Sequence, residues 1–474
     1  TATRSSLDID TTPVSKLQLS RLAKTEVCRH LLQTDERRIV WPGKNNWCEM
    51  SRMRSRYLAL LLFAALLAGC SGKSADLSVP PANDATTAEG LAWWSRAAMD
   101  AYLGFESWRG SRSGFVAMFA RDGVPVYANA WGWADIGQQR PMETDTAMRF
   151  ASMTKPVTAV AAMQLVERGI LGLDDPVAGY LPAFAGQGVA NASTPDDNGK
   201  FPSRAPEQPL RVRHLLMFAS GIGPGRDEET PLWRHWQANG PRTLPSGSLA
   251  ERIDHLATLP LFEEPGIRWR YGWSADVLAR VVEVASGQSL DDYFQAHVFD
   301  PLGMSRTRFR YAAPESEVLA TVYTQDADGN LVPITPESDA SFPEGGSGLV
   351  STAGDYLRFA LMLWNGGSYR GVRILEEDTV KQMQQLHVPT GVLAHEGIEG
   401  IGWGLGVAVT ADADASLIPD RNGDFWWAGY FGTAFFVSPE TGLVGVILSQ
   451  NEPGDYSDTP IAVYVAQALA FAGL

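Results

Sequence analysis

The sequence predicts a mixed α/β (α+β) protein in which antiparallel hairpins are flanked by helices. Three observations carry that expectation. The stretch "SGFVAMFARDGVPVYANAWG" (113–132) holds two β-rich runs joined by Arg121-Asp122-Gly123, a strong hairpin signal. A second pair of β-rich runs lies in "FWWAGYFGTAFFVSPETGLVGVILSQ" (425–450), joined at Pro439-Glu440-Thr441-Gly442. Helical spacing of apolar residues marks "LAWWSRAAMDAYLGF" (91–105), and a long amphipathic helix closes "IRWRYGWSADVLARVVEVASGQSL" (267–290).

With 474 residues, 45% of them apolar and 20% charged, the chain has the composition of an ordinary globular protein able to bury a sizeable core. Its formal charge is -15, unevenly spread: residues 1–56 hold 11 Lys and Arg against 6 Asp and Glu, leaving 28 basic and 48 acidic residues in the remainder. A surface of that sign repels phosphate backbones, so nucleic acid is not an expected partner. The sequence has no fixed-period repeat and no Gly-rich phosphate loop, and no cofactor is expected.

The N-terminal region reads as processing rather than fold. Met50 and Met53 precede Arg52, Arg54 and Arg56, and then comes the apolar run "YLALLLFAALLAGCSG" (57–72), too short for a confident span of a bilayer. Leu67-Ala68-Gly69-Cys70 resembles a bacterial lipobox, which implies lipidation at Cys70 after cleavage of a signal peptide at 50–70; the other reading is a plain signal peptide with a chance cysteine. Ser71 after that cysteine resembles lipoproteins sorted to an outer membrane, on the periplasmic side of the envelope. Residues 1–49, beginning at Thr1 and without periodicity, are expected to be upstream sequence foreign to the natural product. Cys28 and Cys48 fall in that leader, so a mature domain would carry neither disulfide nor thiol ligand. "SGKSADLSVPPANDATTAEG" (71–90) reads as a tether.

Chemistry first surfaces in "FASMTKPVTA" (150–159). A helix starting near Ser152 puts its hydroxyl and the Lys155 amine on one face, one turn apart, with Pro156 in the first turn where a missing N–H costs nothing. The apolar run behind it, "VTAVAAMQLVERGI" (157–170), predicts burial, and burial together with the positive helix end disfavours an ammonium, so Lys155 can accept the proton of Ser152. Alone, the spacing is equally that of an N-cap serine followed by a surface lysine. Tyr271, just before the long amphipathic helix, and the glycines entering the late hairpin supply company.

Taken with those motifs, the sequence resembles the serine hydrolases of the class C β-lactamase and penicillin-binding-protein type, and among them the family VIII carboxylesterases. Besides the stretch around Ser152, "LRVRHLLMFASGIG" (210–223), "FDPLGMSRT" (299–307) and "GGSGLVSTAGDYLRFALMLWNGG" (345–367) match family blocks in order, over nearly all of 91–474. The resemblance implies a β-lactamase/transpeptidase-like fold, with an α/β domain from 91–173 and 341–474 and a mainly helical domain from 174–340. It also implies that Ser152 is the acyl-accepting nucleophile, that Lys155 is its base or tunes it, and that Tyr271 exchanges protons with the serine and the leaving group. The oxyanion hole would come from the backbone N–H groups of Ser152 and Tyr430.

Two departures from the β-lactamase and peptidase branches bear on substrate. Their Tyr-x-Asn has Trp273 in third place here, and their usual Lys-Thr-Gly reads Trp427-Ala428-Gly429, as in the esterases. Loss of that lysine removes a charge-assisted contact to a β-lactam carboxylate worth about 1.5–3 kcal/mol. Trp427, Gly429 and Trp273 are therefore the expected substrate-binding residues, within an aromatic group that also includes Trp269, Trp426, Tyr430 and Phe431. The expected function is hydrolysis of carboxylic esters with short acyl chains, aromatic alcohols included, through an acyl-enzyme on Ser152. A β-lactamase or D-alanyl-D-alanine carboxypeptidase, and a non-catalytic peptidoglycan-binding envelope protein, are the alternatives. No Gly-x-Ser-x-Gly elbow is present, since "GSRSG" (110–114) is centred on Arg112. The seven histidines (30, 214, 235, 255, 297, 387, 395) lie outside the motifs, and His395-Glu396 lacks the second histidine of a zinc motif, so no metal is expected.

Overall fold

Hairpin chemistry sets the central sheet. In the computed structural model of the chain, Asp122 and Gly123 both take positive φ (50° and 81°), closing a two-residue turn in which Arg121 faces Val124. The turn joins β1 (Gly114–Arg121) to β2 (Val124–Asp135), and a short β3 (Arg140–Pro141) adds to the outer edge of β2. The described residues are 79 and 88–474, apart from 193, 198, 226–228, 241–246, 313, 315–317, 337–340, 390, 394–397 and 453–457. Cys70, the apolar run before it and His395 lie outside them. All the described residues fall in one compact unit.

The remaining strands come from the C-terminal part: β4 (Ile401–Trp403), β5 (Ala408–Thr410), β6 (Phe425–Gly429), β7 (Thr433–Ser438) and β8 (Leu443–Leu448). Every pairing is antiparallel, in the order β4-β5-β6-β7-β8-β1-β2-β3, so the two hairpins foreseen in the sequence meet where β8 lies beside β1. Gly442, at φ 69°, ends the β7–β8 turn; a side chain there would overlap Asp122 of the other hairpin. The two turns thus fix each other.

Continuous apolar runs in β1, β7 and β8 follow from burial on both faces. Adjacent strand residues point to opposite sides. Phe435 meets Tyr356 of the helix Ala353–Trp364 (ring centroids 5.3 Å apart), while Phe436 meets Phe471 of the C-terminal helix Asp458–Ala472 (5.6 Å). The latter helix packs beside α1 (Trp93–Trp108), where Ser95 Oγ donates to Leu469 O (2.6 Å).

On the Tyr356 side runs α2 (Thr154–Glu167), whose residues from Thr154 to Leu165 are all buried, as its apolar run predicts. Between residues 168 and 348 the described chain holds helices at Val212–Leu216, Pro231–Asn239, Leu249–Leu256 and Leu290–Phe294, with α3 (Ser274–Ser286) against α2, and short antiparallel pairings of Val189–Ala190 with Ser203–Arg204 and of Val322–Gln325 with Leu331–Ile334. This arrangement of a large antiparallel sheet with helices is the β-lactamase/transpeptidase-like fold the sequence resembles.

Candidate active site

Ser152 sits on a pinned turn. Phe150 N donates to Leu349 O (2.9 Å), Thr433 Oγ1 donates to Phe150 O (3.1 Å), and the Tyr356 hydroxyl donates to Met153 O (2.7 Å). Ala151 is forced to φ 46°, a left-handed conformation costing about 1–2 kcal/mol for a residue with a Cβ. The sequence suggested a helix start near Ser152; instead residues Ala151–Met153 form a 3-10 turn and the α-helix begins at Thr154. Ser152 and Lys155 still share a face, because residues three apart lie on one side of the chain in a 3-10 turn and in an α-helix alike. Pro156 falls in the first turn, as expected.

Lys155 is 6% exposed. Its Nζ donates to Gly346 O (2.7 Å) and lies 3.0 Å from Ser152 Oγ, and it stands 4.8 Å from the centre of the Tyr271 ring. The strand-entering segment 345–349 is strapped to α2 by Thr158 Oγ1 donating to Gly345 O (2.7 Å) and Leu349 N donating to Thr154 Oγ1 (3.4 Å).

Tyr271 arrives from a loop held at several points. Arg270 N donates to Phe218 O (2.7 Å), the Arg270 guanidinium pairs with Glu263, and the Ser220 and Ser274 hydroxyls are 2.8 Å apart. Gly272 has no room for a side chain against Ile222 O. The phenol oxygen of Tyr271 therefore reaches 2.6 Å from Ser152 Oγ. Serine, lysine and tyrosine, singled out separately in the sequence, form one hydrogen-bonded trio.

β6 closes the site from the sheet. A Cβ on Gly429 would overlap both Phe150 O and Thr433 Oγ1, so only glycine lets the strand end lie against the Ser152 turn. Tyr430 follows directly, half-exposed, its hydroxyl donating to Glu452 (3.2 Å). Trp427, on the same strand face as Gly429, is buried between Tyr271 (5.8 Å) and Trp403 (4.7 Å, edge-on), and its Nε1 has no hydrogen-bond partner among the described residues. Trp273 turns instead toward the Arg252 guanidinium (5.9 Å). Trp269 stacks into the same aromatic wall, 6.1 Å from Tyr271.

Sequence reasoning missed a buried charge cluster behind the lysine. Asp276, in the first turn of α3, accepts from Gly346 N (3.1 Å), the N–H of the same residue whose carbonyl receives Lys155. Glu344 pairs with Arg252, and Ser347 Oγ donates to Glu344 (2.7 Å). Burial pushes the Asp276 carboxyl up to about 6, with Glu344 adding and Lys155 opposing. The signal available in the sequence was an acid five residues after Tyr271 and the Gly345-Gly346 pair, neither distinctive without the fold.

The histidines among the described residues stay out of this constellation. Buried His214 is a satisfied core residue, its Nδ1 accepting from Arg211 N (3.2 Å), and burial drives it down to about 4. No group of three or more His, Cys, Asp and Glu among the described residues is disposed to hold a metal ion.

A family model described as Beta-lactamase matches residues 84–470. The chain belongs to the beta-lactamase family. Within that family it is 31% identical over 390 residues to Esterase EstB of Burkholderia gladioli, covering 75% of this chain and 90% of the esterase. An uncharacterized protein of Mycobacterium tuberculosis is 33% identical over 377 residues, 76% of this chain and 91% of that protein. Among solved structures, EstCE1, described as a hydrolase with promiscuous acyltransferase activity, superimposes with a TM-score of 0.65 at 30% identity, covering 79% of this chain and 98% of its own. The family VIII esterase-like form of the beta-lactamase fold, expected from the Trp427-Ala428-Gly429 motif, is thereby borne out.

Proposed function

We propose that this beta-lactamase-family protein is a serine carboxylesterase that works through an acyl-enzyme on Ser152. The observation that carries the reading is the trio itself: Tyr271 OH at 2.6 Å and Lys155 Nζ at 3.0 Å from one hydroxyl. Ser152 Oγ attacks the ester carbonyl as its proton passes into the Lys155–Tyr271 pair. The alcohol then leaves with that proton, relayed by the phenol, and water frees the acid by the reverse path. The backbone N–H groups of Ser152 and Tyr430 are assigned to the developing oxyanion.

Ester rather than β-lactam substrates are supported by Trp427 in the place of a cationic lysine and by similarity to Esterase EstB along most of the chain. The Trp427 indole N–H, buried beside Tyr271 without a partner among the described residues, is assigned as a donor to the substrate, and Gly429 and Trp273 as neighbours of the same pocket wall. Short acyl groups with bulky or aromatic alcohols suit so apolar a surround. Attachment to the periplasmic face of the envelope through a lipid on Cys70 belongs to the same proposal and rests on the sequence of 50–70.

The test compares p-nitrophenyl butyrate with a chromogenic cephalosporin, on the unaltered protein and on Ser152→Ala. Ester turnover abolished by Ser152→Ala is the expected result. Preference for the cephalosporin would point to a β-lactamase or peptidase, and no turnover of either to a non-catalytic binder.

A further inference from the structure

A neutral amine has one lone pair and two N–H bonds. For Lys155 to take a proton from Ser152, its lone pair must face the hydroxyl, which requires that an N–H be occupied elsewhere. Gly346 O performs that task at 2.7 Å. That carbonyl sits on a segment with little covalent restraint of its own, since it falls in Glu344-Gly345-Gly346-Ser347-Gly348. Besides the two bonds to α2, the segment is held by α3. A Cβ at Gly345 would overlap Ala275 O and Ala279 Cβ, so the backbone lies directly on the helix, and Gly346 N donates to Asp276 Oδ1 at 3.1 Å. A Cβ at Gly346 would approach Asp276 Oδ2 to 2.5 Å. One carboxylate thus grips the N–H of the same residue whose carbonyl orients the base.

We infer that Asp276 is a positioning residue for Lys155: it holds the Gly346 backbone in place and supplies the buried negative charge on that side of the amine. The inference rests on Ser152 and Lys155 working as proposed above. The charged groups facing Asp276 are Lys155 from α2, Glu344 from the segment 341–348 and Arg252 from the helix Leu249–Leu256; Arg252 and Glu344 neutralise each other as an ion pair. That pairing leaves Asp276 and Lys155 as the second pair of the cluster.

Two substitutions separate the functions. Asp276→Asn keeps an oxygen for Gly346 N and removes the charge; Asp276→Ala removes both. The measurement is the pH profile of kcat/KM on p-nitrophenyl butyrate, with thermal melts to establish folding and Ser152→Ala run alongside. Removing a buried negative charge beside the base is expected to shift the acidic limb in both variants. In addition, kcat should fall by about tenfold or more in Asp276→Ala, with Asp276→Asn recovering most of it at the optimum. Glu344→Gln, which takes a negative charge from the same cluster without touching the Gly346 peptide, should move the limb the same way. An unmoved acidic limb in every variant that folds would overturn the inference. Ester turnover persisting in Ser152→Ala would instead remove the mechanism on which it rests.

Discussion

The Tyr271 hydroxyl and Ser152 Oγ are 2.6 Å apart although 119 residues separate them in the chain. Such proximity is maintained by two independent scaffolds, the pinned turn at Phe150–Met153 and the loop tied to Phe218 and Ser220. Removing only the phenol oxygen should therefore leave the fold intact while breaking the proton path. Tyr271→Phe is expected to lower kcat on p-nitrophenyl butyrate by about a hundred- to a thousandfold, with a melting temperature close to that of the unaltered protein. Steady-state kinetics beside a thermal melt checks it.

Gly429 meets the carbonyl of Phe150 with no room for a methyl group. Gly429→Ala should push β6 from the nucleophile turn, displacing Ser152 relative to Lys155. A loss of about a hundredfold in kcat/KM is expected from misplacement on that scale, with the sheet itself retained. Near-unaltered activity in this variant would mean the strand end does not position the turn.

Much of this arrangement was legible in the sequence because it rests on local rules. Asp122-Gly123 wrote its own turn, and the apolar run 157–170 announced a buried helix. The three-residue spacing singled out Ser152 and Lys155, but on its own it also fits an N-cap serine and a surface lysine, so this pair too needed the other motifs. Tyr271 needed the company of several motifs, since no local rule ties it to a serine 119 residues away. Illegible were the long-range partners: the Gly346 carbonyl that receives Lys155, and the Asp276, Glu344 and Arg252 cluster, whose members come from three separate elements. The left-handed Ala151 was also hidden, because its conformation is imposed by bonds to Leu349 and Thr433 rather than by its own side chain.

Trp427 presents a buried indole N–H with no partner among the described residues. Trp427→Phe retains the ring packed on Tyr271 and Trp403 but deletes the donor. If the substrate takes that hydrogen bond in both ground and transition states, KM should rise about fivefold with kcat little changed, the worth of one neutral hydrogen bond of about 1 kcal/mol. A fall in kcat with KM unchanged would assign the indole to positioning Tyr271 instead.

Asp420, beside the sheet edge, accepts from Thr410 Oγ1 (2.8 Å) and from the Gln467 amide, and burial raises its carboxyl to about 7. In the unfolded chain the same group titrates near 4. Between those values the folded state holds the extra proton, so this group's contribution to stability is full below about pH 4, declines as pH rises toward 7, and is flat above. Asp420→Asn removes the decline, with Gln467 free to turn its amide oxygen toward the new N–H. The variant should melt higher than the unaltered protein at pH 8 and equal to it near pH 4, as calorimetry at the two pH values would show.

The central claim is a covalent bond between substrate acyl group and Ser152 Oγ. Acid-quenched intact mass spectrometry during turnover of p-nitrophenyl butyrate, followed by peptide mapping, tests it most directly. A single butyryl group on the peptide containing Ser152, absent from Ser152→Ala, is the predicted result. Ester turnover with no adduct on that peptide, and with equal rates in Ser152→Ala, would contradict it.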